Sequence, residues 1–119
     1  MNKPLATQRI HRLYDAFNRR DVETVLEQMT DDVAWPRAFK GGYVQGPEAV
    51  RAYWHEQWQE IDARVEPRAI EMRDDGRFDV EVHQVVRDLA GNVLADTVVH
   101  HVYRFEDDRI ARMDLEDDA

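Results

Sequence analysis

Arg77-Phe78-Asp79-Val80-Glu81-Val82-His83-Gln84-Val85-Val86-Arg87-Asp88 alternates apolar and polar side chains along most of its length. A period of two is the mark of a strand with one buried face. Phe78, Val80, Val82, Gln84 and Val86 share one face, while Asp79, Glu81 and His83 share the other. Burial of the apolar set places Gln84 inside and His83 outside. Turn residues bracket the run, Asp74-Asp75-Gly76 before it and Ala90-Gly91-Asn92 after it. Further β-rich runs lie at 63–73, 93–106 and 109–116, the last two separated by Asp107-Asp108. Connections this short join antiparallel neighbours, so the second half of the chain reads as a meander. In its long strand, Thr97, Val99, His101, Tyr103 and Phe105 share one face and Val98, His100, Val102 and Arg104 the other. Both faces hold apolar residues, so alternation alone does not orient this strand. In the last strand Ala111, Met113 and Leu115 face inward.

Ahead of the meander the period changes. Ile10, Leu13, Tyr14 and Phe17 recur at helical spacing, with Arg9, Arg12 and Asp15 on the other side. Asp21 is a good N-cap for a second helix carrying Val22, Val25, Leu26 and Met29, which Thr30-Asp31-Asp32 ends. Val33-Ala34-Trp35 is a short strand stopped by Pro36, and residues 37–46 form a glycine-containing loop. Pro47 opens a third helix whose broad face carries Val50, Tyr53, Trp54, Gln57, Trp58 and Ile61. Helices first and strands afterwards define an α+β domain, with helices gathered on one face of the sheet. A chain of 119 residues supports one such core, so residues 1–119 are read as a single domain.

Composition narrows the function classes. The chain is 43% hydrophobic and 34% charged, as a folded domain requires, and its formal net charge is −9. A surface this acidic repels phosphate backbones, which argues against nucleic acid and anionic membranes as partners. Cysteine is absent, so disulfides, thiolate metal sites and cysteine nucleophiles are excluded. Met1 to Leu5 holds no apolar signal segment and no run is long enough to span a bilayer, so a cytoplasmic location is expected. The five histidines show no HExxH-type spacing, and adjacent His100 and His101 point to opposite sides of a strand, so no metal is expected.

Several stretches, in this order and spacing, carry a resemblance. Tyr14-Asp15-Ala16-Phe17-Asn18-Arg19-Arg20-Asp21 is followed by Val25-Leu26, Asp31-Asp32-Val33-Ala34-Trp35 and Gly46-Pro47-Glu48-Ala49-Val50-Arg51-Ala52-Tyr53, and Tyr103-Arg104-Phe105-Glu106-Asp107-Asp108-Arg109-Ile110 closes the set. Together they resemble the SnoaL-like branch of the NTF2-like superfamily. The resemblance implies a cone-shaped, cystatin-like roll: three N-terminal helices on a strongly curved, mostly antiparallel sheet, with a pocket at the open end. It does not imply one chemistry, because ketosteroid isomerases, polyketide cyclases, dehydratases, epoxide hydrolases and non-catalytic binding modules share this fold.

Carried over residue by residue, the resemblance sets the candidate site. The position of the isomerase base, just after the first strand, falls on Arg37, which cannot take up a proton at neutral pH but can contact an anion at the pocket mouth. The donor position on the long strand falls on His101, which turns His101 inward and His100 outward. Tyr14, one position from the family's helix tyrosine, joins His101 as a catalytic candidate. Tyr53 matches an aromatic pocket position. Gln84, polar on an apolar inward face, needs a partner when buried. Trp35, Val80, Val82, Val99, Met113 and Leu115 complete the expected lining. Two functions compete. One is a module that binds a small apolar molecule. The other is a cyclase, isomerase or dehydratase working without cofactor by general acid–base chemistry on an apolar carbonyl compound. Val85, Val98 and Val102 suggest an apolar outer face that pairing into a homodimer would cover.

Overall fold

The computed structural model of the chain describes residues 1–38 and 40–117. Three helices come early: α1 Lys3–Asn18, α2 Val22–Glu27 and α3 Pro47–Trp58. Six strands, β1 Met29–Pro36, β2 Tyr43–Gln45, β3 Ile61–Met72, β4 Phe78–Asp88, β5 Val93–Glu106 and β6 Arg109–Asp117, form one sheet in the order β2-β1-β6-β5-β4-β3. Only the β1–β6 pairing is parallel; the other four are antiparallel. The expected α+β architecture is therefore present.

Local chemistry sets the element boundaries. Asn2 caps α1 by accepting from the Leu5 amide at 2.9 Å, and Asp21 caps α2 by accepting from the Thr24 amide at 3.3 Å and, through its other oxygen, from the Thr24 hydroxyl at 2.7 Å. Gly46 precedes α3 at φ 89°, a conformation glycine adopts without strain, and Pro47 follows at a first-turn position. Three expectations need correction. Met29 does not belong to α2, which stops at Glu27; instead Met29 opens β1, and Thr30-Asp31-Asp32 continue that strand. The loop 37–46 contains β2, which pairs Ala34 with Gln45 and Pro36 with Tyr43. Ile61 is not on α3 but begins β3, paired with Asp88.

Ladder irregularities occur between Pro67 and Ala69, at Val86/Arg87 and at Arg104/Phe105. Bulges of this kind bend strands and raise their twist, which curves a sheet around what lies on it. The inner face carries Phe78, Val80, Val82, Tyr103 and Met113 against Ile10, Leu13, Val50 and Trp54 of the helices, all buried. Asn18 ties the end of α1 to β3, its amide donating to the Val65 carbonyl at 2.7 Å and accepting from the Val65 amide at 3.0 Å.

The outer face differs from the expectation. Val102 is fully buried, yet its register partners are Asp79 and Asp114. Around it Arg73 pairs with Asp79 and Glu116, and His100 pairs with Asp79 at 2.7 Å. Val85 and Val98 are half-buried. The three valines thus lie among charged side chains rather than forming an open apolar patch. Leu89, Val93 and Leu94, around the β4–β5 turn, are the more exposed apolar residues. Among the described residues no helix is long and apolar enough to cross a membrane.

Candidate functional site

Between helices and sheet lies a cavity of about 60 Å3. One water needs roughly 10–15 Å3 of cavity, so the space takes a few waters or one small ring system. Leu13, Tyr14 and Phe17 of α1 form its roof, and Tyr53, Trp54 and Gln57 of α3 close one side. The sheet contributes Trp35, Ala63, Val65, Gln84, His101, Tyr103, Met113 and Leu115. The wall is mainly apolar and rich in aromatic rings. Trp35 meets Trp54 edge-on at 5.4 Å, and Phe17 meets Trp54 edge-on at 5.3 Å. Such edge-to-face contacts fix ring orientations beyond what area burial alone does.

Three polar side chains meet within this wall. The Tyr14 hydroxyl lies 2.7 Å from Nδ1 of His101 and 2.7 Å from the Tyr103 hydroxyl. The Tyr14 and His101 rings stack with centroids 5.8 Å apart, and Tyr103 stands edge-on to both. Each position has a local cause. Tyr14 is on the buried stripe of α1 with Ile10 and Leu13. His101 and Tyr103 are two apart on β5 and so share its inner face, opposite Val80 and Phe78 of β4. Burial, and next the charge of neighbouring His100, hold His101 down to about 4 from its ordinary 6.5. Its imidazole is therefore neutral at physiological pH. Burial pushes both phenols up, and the proximity of Tyr103 adds to the rise at Tyr14. All three groups are uncharged and buried, where hydrogen bonds are stronger than in water.

The expected site residues fare differently. Tyr14, Trp35, Tyr53, Gln84, His101 and Met113 all line the cavity. Arg37 does not: its guanidinium folds back and donates from Nε to the Gly41 carbonyl at 2.8 Å. Gly41 and Gly42, both at positive φ, make the tight turn that permits this, and among the described residues of this segment it is Pro36 and Ala38 that reach the cavity. Val99 packs half-buried against the core without lining the cavity. Leu115 reaches the cavity while remaining 38% exposed, which puts it at the rim. His83 stays on the outer face, bonded to Asp96 at 2.6 Å, because the β4–β5 register holds from Phe78 to Val86. The residue that sequence reasoning missed is Tyr103. Its shared face with His101 was the available signal, but an aromatic on an inner strand face reads as core. Among the described residues no group of three or more His, Asp or Glu is placed to hold a metal ion.

Three helices packed on a curved, mostly antiparallel sheet define a domain of the NTF2-like type. The chain belongs to the family described as the SnoaL-like domain, whose model matches residues 10–113, within the NTF2-like superfamily. Its solved neighbours agree. An NTF2-like protein of unknown function from Burkholderia pseudomallei is 26% identical, with a TM-score of 0.83 over 99% of this chain and 92% of that one. TerC, co-crystallised with polyporic acid, is 24% identical, with a TM-score of 0.82 over 96% and 92% of the two chains. A candidate polyketide cyclase from Pseudomonas putida is 20% identical, with a TM-score of 0.80 over 95% and 91%. No curated protein matches.

Proposed function

We propose that this domain binds a small, uncharged, largely apolar organic molecule in the cavity beneath α1, with one polar atom of the ligand against His101. The observation that carries this reading is the pairing of an apolar, aromatic wall with a buried neutral histidine whose Nε2 has no protein hydrogen bond among the described residues. Ligand pockets commonly combine mainly apolar walls with a few placed polar groups. The co-crystallisation of TerC with polyporic acid supports a small organic ligand for this type of domain. Trp35 and Trp54 border the cavity, so their fluorescence reports occupancy. Titration with bicyclic aromatic ketones should quench that emission saturably in the wild type and about tenfold more weakly in His101→Phe, the size of effect expected when a buried polar contact is lost. Saturable quenching of equal affinity in both proteins would remove His101 from the reading.

A second reading, a cofactor-independent isomerase or cyclase, is favoured by one observation: the hydroxyl of Tyr14 joins His101 to a second phenol. Such a chain delivers hydrogen bonding to developing negative charge on a carbonyl oxygen without placing an ion in the cavity. Turnover of a carbonyl substrate should then fall on His101→Ala, and unchanged turnover would sink this reading.

A further inference from the structure

The direction of the hydrogen bonds in the Tyr103–Tyr14–His101 chain follows from counting protons, and it fixes what the cavity can recognise. Tyr103 is 0% exposed, and its hydroxyl has one polar neighbour among the described residues, the Tyr14 hydroxyl. If Tyr14 donated to Tyr103, the Tyr103 proton would have no acceptor among the described residues on a side chain that is 0% exposed, an arrangement folded proteins avoid. Tyr103 therefore donates to Tyr14. A phenol has a single proton, so Tyr14 must spend its own on the other neighbour, Nδ1 of His101, at 2.7 Å. Nδ1 is then an acceptor, and in a neutral imidazole the ring proton resides on Nε2. Its depressed pKa is consistent with a neutral ring. His101 lines the cavity, and Nε2 makes no protein hydrogen bond among the described residues.

We infer that the buried chain Tyr103→Tyr14→His101 locks His101 as the Nε2–H tautomer, so that the cavity presents a neutral hydrogen-bond donor and selects ligands carrying an acceptor such as a ketone or quinone oxygen. The inference rests on the binding reading above for its ligand and sharpens it from an apolar molecule to a carbonyl compound. It also changes the role of His101: with Nδ1 occupied and Nε2 protonated, the ring polarises a carbonyl and does not abstract a proton. Tyr103 borders the cavity, but its hydroxyl is committed to Tyr14 at 2.7 Å. It is a positioning residue, acting through Tyr14. Three donors in series polarise one another, so the last, Nε2–H, is stronger than an isolated imidazole N–H. Gln84 and Gln57 also line the cavity, but an amide offers a donor and an acceptor alike and sets no preference by itself.

Two measurements test this. Long-range proton–nitrogen correlation spectra of uniformly 15N-labelled protein assign the tautomer of each histidine ring without any ligand. The expected result is the Nε2–H form at His101 above pH 6 in the wild type, and a mixture of tautomers in Tyr14→Phe. An Nδ1–H wild-type ring would overturn the inference outright, whatever the variants do and whether or not they fold. Binding is then compared for three probes of similar shape: 1-indanone, an acceptor only; indole, a donor only; and indene, neither. The wild type should prefer 1-indanone over indene by about three- to tenfold, as one net buried hydrogen bond allows, and should gain nothing for indole. The preference should shrink in Tyr103→Phe, which removes the hydroxyl bonded to Tyr14 and keeps the ring. A preference for indole would contradict the donor assignment, and an unchanged preference in Tyr103→Phe would remove Tyr103 from the chain. If none of the three binds, the binding reading fails, and the tautomer spectrum still decides the lock.

Discussion

Tyr14 is the residue on which the site turns. Its hydroxyl satisfies two buried partners, Nδ1 of His101 and the Tyr103 hydroxyl. Tyr14→Phe keeps the ring and strands both, and each buried polar group left unpaired costs about 1–3 kcal/mol. Urea denaturation should show a loss of roughly 2 kcal/mol or more for this single oxygen, by the same principle; a loss below 0.5 kcal/mol, an arbitrary cut of about half the usual net bond, would mean that water replaces the contact. His101 gives a pH signature. Its folded pKa, about 4, lies below its ordinary 6.5. Between those values the unfolded chain binds the proton and the folded chain does not, so stability is fully present above pH 6.5 and falls as the pH drops toward 4. At about 1.4 kcal/mol per unit the loss is on the order of 3 kcal/mol. The phenols packed on the ring, Tyr14 from α1 and Tyr103 beside it on β5, are both raised and do not titrate in that window. His101→Asn should flatten the slope of unfolding free energy against pH there; an unchanged slope would place the titrating group elsewhere. At this scale the sequence revealed much but not all. Tyr14 was legible on the apolar stripe of its helix, whereas His101 was turned inward only by the family resemblance, because strand phase left β5 unoriented. Tyr103 was not, because its hydroxyl bond spans 89 positions and only the folded chain brings it about. Arg37 was misplaced because alignment through Trp35 carries no information on the turn at Gly41-Gly42 that redirects its side chain.

The elements hold the chain of hydroxyls in register. α1 supplies Tyr14, and Asn18 at its end anchors the helix to the backbone of β3 through two bonds to Val65. Val65 itself lines the cavity, so this anchor sets the height of the roof over the sheet. Asn18→Ala should cost about 1–3 kcal/mol by the usual worth of two part-buried hydrogen bonds. It should also weaken ligand binding although Asn18 is not among the lining residues; chemical denaturation and a fluorescence titration on one sample separate the two effects, and unaltered affinity would show that the roof is held by packing alone. The meander was legible because β4 and β6 alternate, β5 is rich in β-branched and aromatic residues, and each turn carries Asp, Gly or Asn. The opening of β1 was not, because Met29 continues the apolar spacing of α2 and Thr30-Asp31-Asp32 looks like a terminator. β2 was hidden for a different reason: three residues without a buried face give no periodicity, and pairing with β1 alone makes them a strand.

At the scale of the molecule, the cavity is a space the helices and the sheet leave between them, bordered by Ala63 on β3 and by the large rings of α1 and α3. Small residues at such positions keep volume open at the expense of packing. Ala63→Leu should fill it, leaving the unfolding midpoint unchanged or higher and abolishing binding; a large destabilisation of about 1–3 kcal/mol, typical of overpacking, would show that no usable space exists beside Ala63. The outer face follows another logic. Its charges cluster around Val102, and strand phase alone, which sees every second residue, did not show how Arg73 and Glu116 from outside the β4–β5 pair would converge there. The central claim concerns the inner face: a small acceptor ligand sits against the Nε2–H of His101. Following the histidine ring nitrogens of 15N-labelled protein while 1-indanone is added tests it most directly. The account predicts a saturable shift at His101 Nε2, with His11, His55, His83 and His100 unmoved. A saturable shift confined to those other rings, with His101 unchanged, would contradict it.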